Sequence, residues 1–362
     1  MTVTVDPETR RDELAGRVFA ALVGALEIQA MYLGERLGLY RLLADDGPAT
    51  APELAARAGI DPRYAREWLE QQAVSSVLDV DDVDAQPDAR RYSLPAGHDA
   101  VLVDATSTSF MAPLPRFAVG IAQQMPAILD AFRTGAGIDW ADYGPDVIEA
   151  QAAANRPQFL AFVRDWIDGL PDIAARLREG NGRVADVACG TGWSSIAIAR
   201  AFPGARVDGI DVDHGSIERA RATAADEGMS DRVAFLHADG ANADGAGQYD
   251  LVTIFEALHD MSRPTEVLVA ARRLLAPGGA VLIADERTAE RFTVPGDDME
   301  RMFYGFSVLA CLPNGLYDRP SVGTGTVIRP AAVEAFAREA GFANTTILPV
   351  EHEQFRFYRL DP

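Results

Sequence analysis

From residue 181 onward, short runs of β-branched and aliphatic residues alternate with amphipathic helical stretches. The runs are VADVA at 184–188, RVDGID at 206–211, VAFLHAD at 233–239, LVTIF at 251–255 and AVLIAD at 280–285. A strand covered on both faces reads as a nearly continuous apolar run, and a helix between two such strands carries the chain back so that they lie parallel. The pattern therefore predicts an α/β, doubly wound sheet. A helix over 330–340 and strands near 345–350 and 354–360 extend it to seven strands.

The 362 residues leave room for more than this sheet. From about Arg17 to Leu43 apolar side chains lie nearly all round a helix, which then needs burial on several sides. A helix over 51–58 follows, then Asp61 caps and Pro62 opens another that runs to about Val77. A strand over 77–80, an aspartate-rich loop and a strand at Tyr92 complete the outline of a winged helix. The predicted divisions are a mainly helical winged-helix domain over 1–105, a helical, aromatic connector or lid over 106–180, and the α/β domain over 181–362 with an insertion at 286–329.

Charge narrows the function. The chain has 33 basic residues, every one arginine, against 54 acidic residues, a net of −21. Phosphate backbones and anionic lipid repel such a chain, and the missing lysine excludes Schiff-base chemistry and a P-loop. Residues 1–105 alone hold 10 arginines and 19 acidic residues, a net of −9, and the wing carries Asp79, Asp81, Asp82, Asp84 and Asp88 against Arg90 and Arg91. DNA readout by helix 62–77 is the use a winged helix first brings to mind. This charge opposes it, and burial of the Val18–Leu37 stretch in a homodimer is the better account.

Two cysteines make no disulfide framework, and no Cys/His spacing resembles a metal site. The N-terminus is charged where a signal peptide would be apolar, and the run from Val18 to Leu33 is interrupted by Glu27 and too short to span a bilayer. The expectation is a cytoplasmic protein that engages neither membrane nor nucleic acid.

The first run leads into Asp186-Val-Ala-Cys-Gly190-Thr-Gly192 and then a helix, so backbone amides can face a ligand at close range. A dinucleotide fingerprint would place glycine where Ser195 stands. Asp211 ends the second strand, where a carboxylate can take both ribose hydroxyls, and Asp239 ends the third. After the fourth comes Glu256-Ala-Leu-His259-Asp260.

In the order DVACGTG, GIDVD, HADG, YDLVTIFEALHD and LLAPGG, residues 184–286 and the C-terminal strands resemble the class I S-adenosylmethionine-dependent methyltransferases. The resemblance implies a Rossmann-like, seven-stranded sheet whose last strand is antiparallel, with S-adenosylmethionine as cofactor and S-adenosylhomocysteine as product. It implies that Asp186, Gly190 and Gly192 cradle the methionine part, Asp211 holds the ribose and Asp239 meets the adenine amino group. Val212, Gly240 and Phe255 are the remaining cofactor contacts by the same resemblance. Ala188 stands where the usual motif has its first glycine.

The His259-Asp260 pair also resembles the plant-type small-molecule O-methyltransferases, which carry a winged-helix dimerisation domain and a catalytic His-Asp here. That resemblance makes His259 a general base for a hydroxyl acceptor and Asp285, with Glu286 beside it, its supporting carboxylate; a second support falls at Val327. The other reading of His259 is a histidine that hydrogen-bonds a turn. His214 and His237 are expected to be structural. Met299, Met302, Phe303, Tyr304, Phe306 and Tyr317 in the insertion offer an adaptable wall for a small apolar or aromatic substrate, or ordinary core contacts. Two other functions remain open: a winged-helix regulator that senses the cofactor, and a non-methylating enzyme on the same fold.

Overall fold

Asp6 accepts the Thr9 N–H and starts helix α1 (Pro7–Arg36), and Gly38, in the left-handed region, separates it from α2 (Leu39–Asp45). The single helix expected over 17–43 is therefore two. The computed structural model describes residues 6–243 and 245–362, in two compact units that divide between Val119 and Gly120. In the first unit α3 (Ala51–Ala58) opens on a Thr50–Glu53 capping box, and α4 (Pro62–Val74) on Asp61 as expected. Leu39, Tyr40, Leu43, Leu54, Trp68, Leu69 and Tyr92 form its core. The wing strands β1 (Asp79–Val80) and β2 (Tyr92–Ser93) are antiparallel and only two residues long. Asp81 shortens them: its carboxylate accepts the N–H groups of Asp82 and Arg91 and turns the chain.

Helix α1 extends past both ends of its apolar run and is, by length and composition alone, long and apolar enough to cross a membrane. This corrects the expectation that the segment is too short. Leu14, Val18, Phe19, Leu22 and Leu26 on it are each more than half exposed.

In the second unit seven strands lie in the order β5-β4-β3-β6-β7-β9-β8. They are β3 (Arg183–Val187), β4 (Arg206–Asp211), β5 (Val233–His237), β6 (Tyr249–Phe255), β7 (Leu275–Glu286), β8 (Asn344–Ile347) and β9 (Phe355–Asp361). The first five are parallel, and β9 is antiparallel to both its neighbours. Because β3 pairs with β4 on one side and β6 on the other, the connections leave in opposite directions and open a crevice at its carboxyl end.

Part of the segment expected as a connector or lid over 106–180 packs into the core of the sheet. Helix Gly144–Asp168 sends Phe159, Val163, Trp166 and Ile167 into the same core as Val184, Leu251, Leu282 and Phe357. Trp166 is its centre, with the rings of Phe357, Phe255, Phe355 and Phe159 at 5.2, 5.7, 5.9 and 6.0 Å. Replacing Trp166 by alanine is expected to cost about 3–5 kcal/mol in urea unfolding. A loss below about 1 kcal/mol would show that the helix is not part of this core.

Candidate active site

Strand β3 ends at Val187, and the chain turns through Ala188, Gly190 and Gly192, all with φ between +53° and +87°, into helix Trp193–Ala201. The two glycines do different work. A Cβ on Gly190 would meet only open space, whereas one on Gly192 would lie 2.5 Å from the Phe235 ring. Gly190 therefore supplies the open cradle, and Gly192 lets the helix start close to β5.

Asp186 lies 1% exposed beneath this turn, and Ser194, Ser195 and Thr253 donate their hydroxyls to it at 2.6, 2.6 and 2.8 Å. Burial raises its pKa and the three hydroxyls oppose that rise. Its carboxylate thus ties β3, β6 and the helix start together beneath the turn.

Asp211 is half-buried at the end of β4. Its carboxylate accepts the Gly190 and Asp213 N–H groups, both at 2.8 Å, so it binds the turn directly. Burial pushes its pKa up to about 6, and among the described residues it has no cationic partner. Val212 beside it is 70% exposed, an apolar wall without cover. A concavity of about 440 Å³ next to these residues is lined by Ile210, Leu236, His237, Ala238, Asn242 and Ala243. His237 bonds the Val212 carbonyl at 3.0 Å, a structural task as expected.

Asp239 caps the turn Gly240–Asn242 through the Ala241 N–H and pairs with Arg263 at 3.1 Å, and Arg263 also reaches Asp318. Gly240 packs on Val187, where a Cβ would come within 2.8 Å. The Phe255 side chain is 6% exposed and stacked on Phe159 in the core. The open glycine turn, the diol-sized carboxylate, the exposed valine and the adjoining hollow fit a nucleoside carrying a short polar tail.

His259 sits on the turn Leu258–Asp260 and is 2% exposed. Asp285, at the end of β7, takes the ring Nδ1–H at 2.6 Å and the backbone N–H at 3.3 Å. Nδ1 carries one hydrogen, so Glu286 Oε2, 2.9 Å from the same nitrogen, is left without a donor. Burial pushes the Glu286 carboxyl well up, whereas for Asp285 burial is outweighed by the facing imidazole and its pKa falls. On the other side, Asp260 Oδ1 lies 3.4 Å from Nε2.

Burial disfavours a charged His259 ring, but Asp260, Glu286 and Asp285 outweigh it and hold the pKa well above its usual value. Cys311, from the insertion, lies against the same groups, and burial pushes its thiol up to about 12. His259 lies within 4.8 Å of Asp260 and Cys311 in one cluster and of Asp285 and Glu286 in another, yet burial raises the thiol pKa and the His259–Asp285 pair is closed by a hydrogen bond.

Sequence reasoning named Asp260 beside His259, Asp285 as its support with Glu286 next to it, and a second support at position 327. The second carboxylate on the ring is Glu286, not a residue at 327, and Asp260 follows His259 directly. Glu256 carried a signal, an acidic residue directly after the run LVTIF. Its partners Gln151 and Asn155, and Cys311, carried none.

Residues 184–279 match the family described as "Methyltransferase domain", and residues 25–104 match the "Rv2258c-like winged HTH domain". The ubiquinone biosynthesis O-methyltransferase of Ralstonia nicotianae is 30% identical over 189 residues, 52% of this chain and 71% of that protein. The solved mitomycin 7-O-methyltransferase has a TM-score of 0.69 at 21% identity, covering 98% of this chain and 99% of the other. Human N-acetylserotonin methyltransferase, solved with S-adenosylmethionine, has a TM-score of 0.66 at 18% identity, with 100% and 99% covered. At such identities the two structures speak for the fold.

The geometry around His259 is testable by itself. Asp285→Asn should lower the pKa of the His259 ring, followed by ¹⁵N NMR titration of the imidazoles. A ring that titrates as in the unmodified protein would mean that Asp285 does not set its charge.

Proposed function

The chain belongs to the S-adenosylmethionine-dependent methyltransferases, and from that premise we propose that it methylates a hydroxyl of a small metabolite with His259 as general base. The observation that carries the reading is the buried imidazole fixed through Nδ1 by Asp285, which turns Nε2 away from that carboxylate. S-adenosylmethionine, when bound, supplies an electrophilic methyl group on a sulfonium.

Asp211, Gly190 and Val212 would hold it through the ribose, the open turn and the adenine face, and Gly192 supports them by setting the helix start. Asp239 and Gly240 close the adenine side, with Arg263 sharing Asp239. Asp186 and Phe255 act from beneath, by fixing the turn and the strand end. His259 Nε2 would take the acceptor's hydroxyl proton, and Asp285 would stabilise the resulting imidazolium. Orienting the two reactants is the larger contribution expected of the protein.

His259→Ala should keep its affinity for S-adenosylhomocysteine and lose about 10²–10⁴-fold in transfer of a labelled methyl group to acceptors in a metabolite extract. Because its neighbours raise the His259 pKa, the neutral base form fills only above the ordinary value near 6.5. Turnover should therefore still be climbing with pH beyond neutrality. Unchanged transfer in the variant, or a profile already flat from pH 6, would remove the histidine from proton transfer.

The reading includes a homodimer through the N-terminal unit, supported by the uncovered apolar side chains of α1. Acidic residues outnumber arginines around the wing, which supports a dimerisation role over DNA binding. Both cysteines are free thiols, in keeping with a cytoplasmic setting. Val18→Asp with Leu22→Asp should shift the protein from dimer to monomer on a sizing column. A wild-type protein that elutes as a monomer would overturn this account of α1.

A further inference from the structure

Glu256 is the first residue after β6, and no role has been given to it so far. It holds φ at +51°, and Ala188, at the end of the neighbouring β3, holds +60°. Two adjacent parallel strands thus end on non-glycine residues in the left-handed region, both at the crevice where the glycine turn begins. Such backbone is costly and is kept where surrounding structure fixes it, commonly at functional sites.

The Glu256 side chain is also fixed. Gln151 Nε2, at 3.2 Å, and Asn155 Nδ2, both from helix Gly144–Asp168, donate to the same oxygen, Oε2. The other oxygen, Oε1, receives no hydrogen bond among the described residues. No arginine pairs with Glu256 among them either, although the chain ties down other carboxylates with arginines. The charged groups that face it are His259, already ringed by its own carboxylates, and Asp285, which repels it. Its remaining contacts are neutral amides. A carboxylate so placed calls for a cation of its own, which the described residues do not provide, because the facing His259 is shared with Asp260, Asp285 and Glu286.

The cofactor does. Its methionine end carries an ammonium group, next to a sulfonium, and Asp186, the carboxylate expected there, is 1% exposed and already accepts three hydroxyls. We propose that the Glu256 carboxylate receives the cationic methionine end of the cofactor, an inference that rests on the cofactor assignment. The amides of Gln151 and Asn155 are positioning groups that aim Oε1 at the crevice.

Burial pushes the Glu256 pKa up to about 7, so near neutrality the free protein is a mixture of the carboxylic acid and the carboxylate. Pairing with an ammonium favours the carboxylate and expels the proton. Binding should then release up to about half a proton per ligand at pH 7, and should tighten roughly tenfold between pH 6 and pH 8. A neutral ligand that lacks the amino-acid end should show only the smaller effect that Asp211, pushed up to about 6 and facing the ribose, gives to both ligands.

Calorimetry with the whole protein tests this without knowledge of the acceptor. S-adenosylhomocysteine and 5′-methylthioadenosine are titrated at pH 6, 7 and 8 in buffers of different ionisation enthalpy, for wild type and Glu256→Gln. The first ligand should exceed the second in proton release and pH dependence in wild type only, and should bind Glu256→Gln at least tenfold more weakly at pH 8. The second should bind both proteins alike, which also shows that the variant is folded. Asp211 titrates near pH 6 but meets the ribose of both ligands, so the difference between them isolates Glu256. Equal proton release for both ligands in wild type, or an excess for the first ligand that persists in Glu256→Gln, would overturn the proposal. Failure of both ligands to bind wild type would instead overturn the cofactor assignment beneath it.

Discussion

Strand β3 is hydrogen-bonded to β4 on one flank and to β6 on the other, and the site depends on that double pairing. The chain must leave β3 towards one side and return to β6 from the other, so no helix can close over the end of β3. The turn 188–192 fills that gap, with Asp186 anchoring it from below and Asp211 gripping the Gly190 N–H from the side. The nucleoside part of the cofactor is assigned to the ends of β3, β4 and β5, its methionine end reaches Glu256 after β6, and proton transfer is assigned to His259 and Asp285 after β6 and on β7. The two halves of the chemistry meet because two strands are neighbours.

The second organising fact is how many carboxylates this site buries. Asp186, Asp285 and Glu286 are almost wholly covered, and Asp211, Glu256 and Asp260 are partly so. Each must be offset by a donor or stay protonated. Asp186 has three hydroxyls, Asp211 two backbone amides, Asp285 the imidazole and Glu256 two side-chain amides. Not one of these offsets is an arginine, despite 33 of them in the chain. Arginine would lock the charge permanently, while hydroxyls, amides and imidazole leave it responsive to what binds or reacts. The −21 of the chain is mostly solvated surface, but its buried share is where the chemistry lies.

Local pattern made much of this legible. The five central strands follow from apolar runs of the right length, and the glycine turn and strand-end aspartates follow from spacing. Asp285 was found as the partner of His259 by resemblance and stands 2.6 Å from it. What escaped depends on contacts between distant residues. The role of Asp186 is decided by Thr253, 67 residues away, and that of Glu256 by amides about 100 residues upstream. Cys311 reaches His259 only because the insertion folds back over the β6 turn, with Gly325 N–H donating to the His259 carbonyl at 3.1 Å. The membership of helix Gly144–Asp168 in the main core was hidden for the same reason, since its aromatic face reads alike whether it lines a lid or packs a sheet.

The central claim is that the crevice at the ends of β3 and β4 is a cofactor site organised by Asp211. Isothermal titration of the purified protein with S-adenosylmethionine, beside Asp211→Ala, tests it most directly. The account predicts one molecule bound per chain, with binding abolished or at least severely weakened in the variant. No binding by the wild type, or a variant indistinguishable from it, would contradict the account.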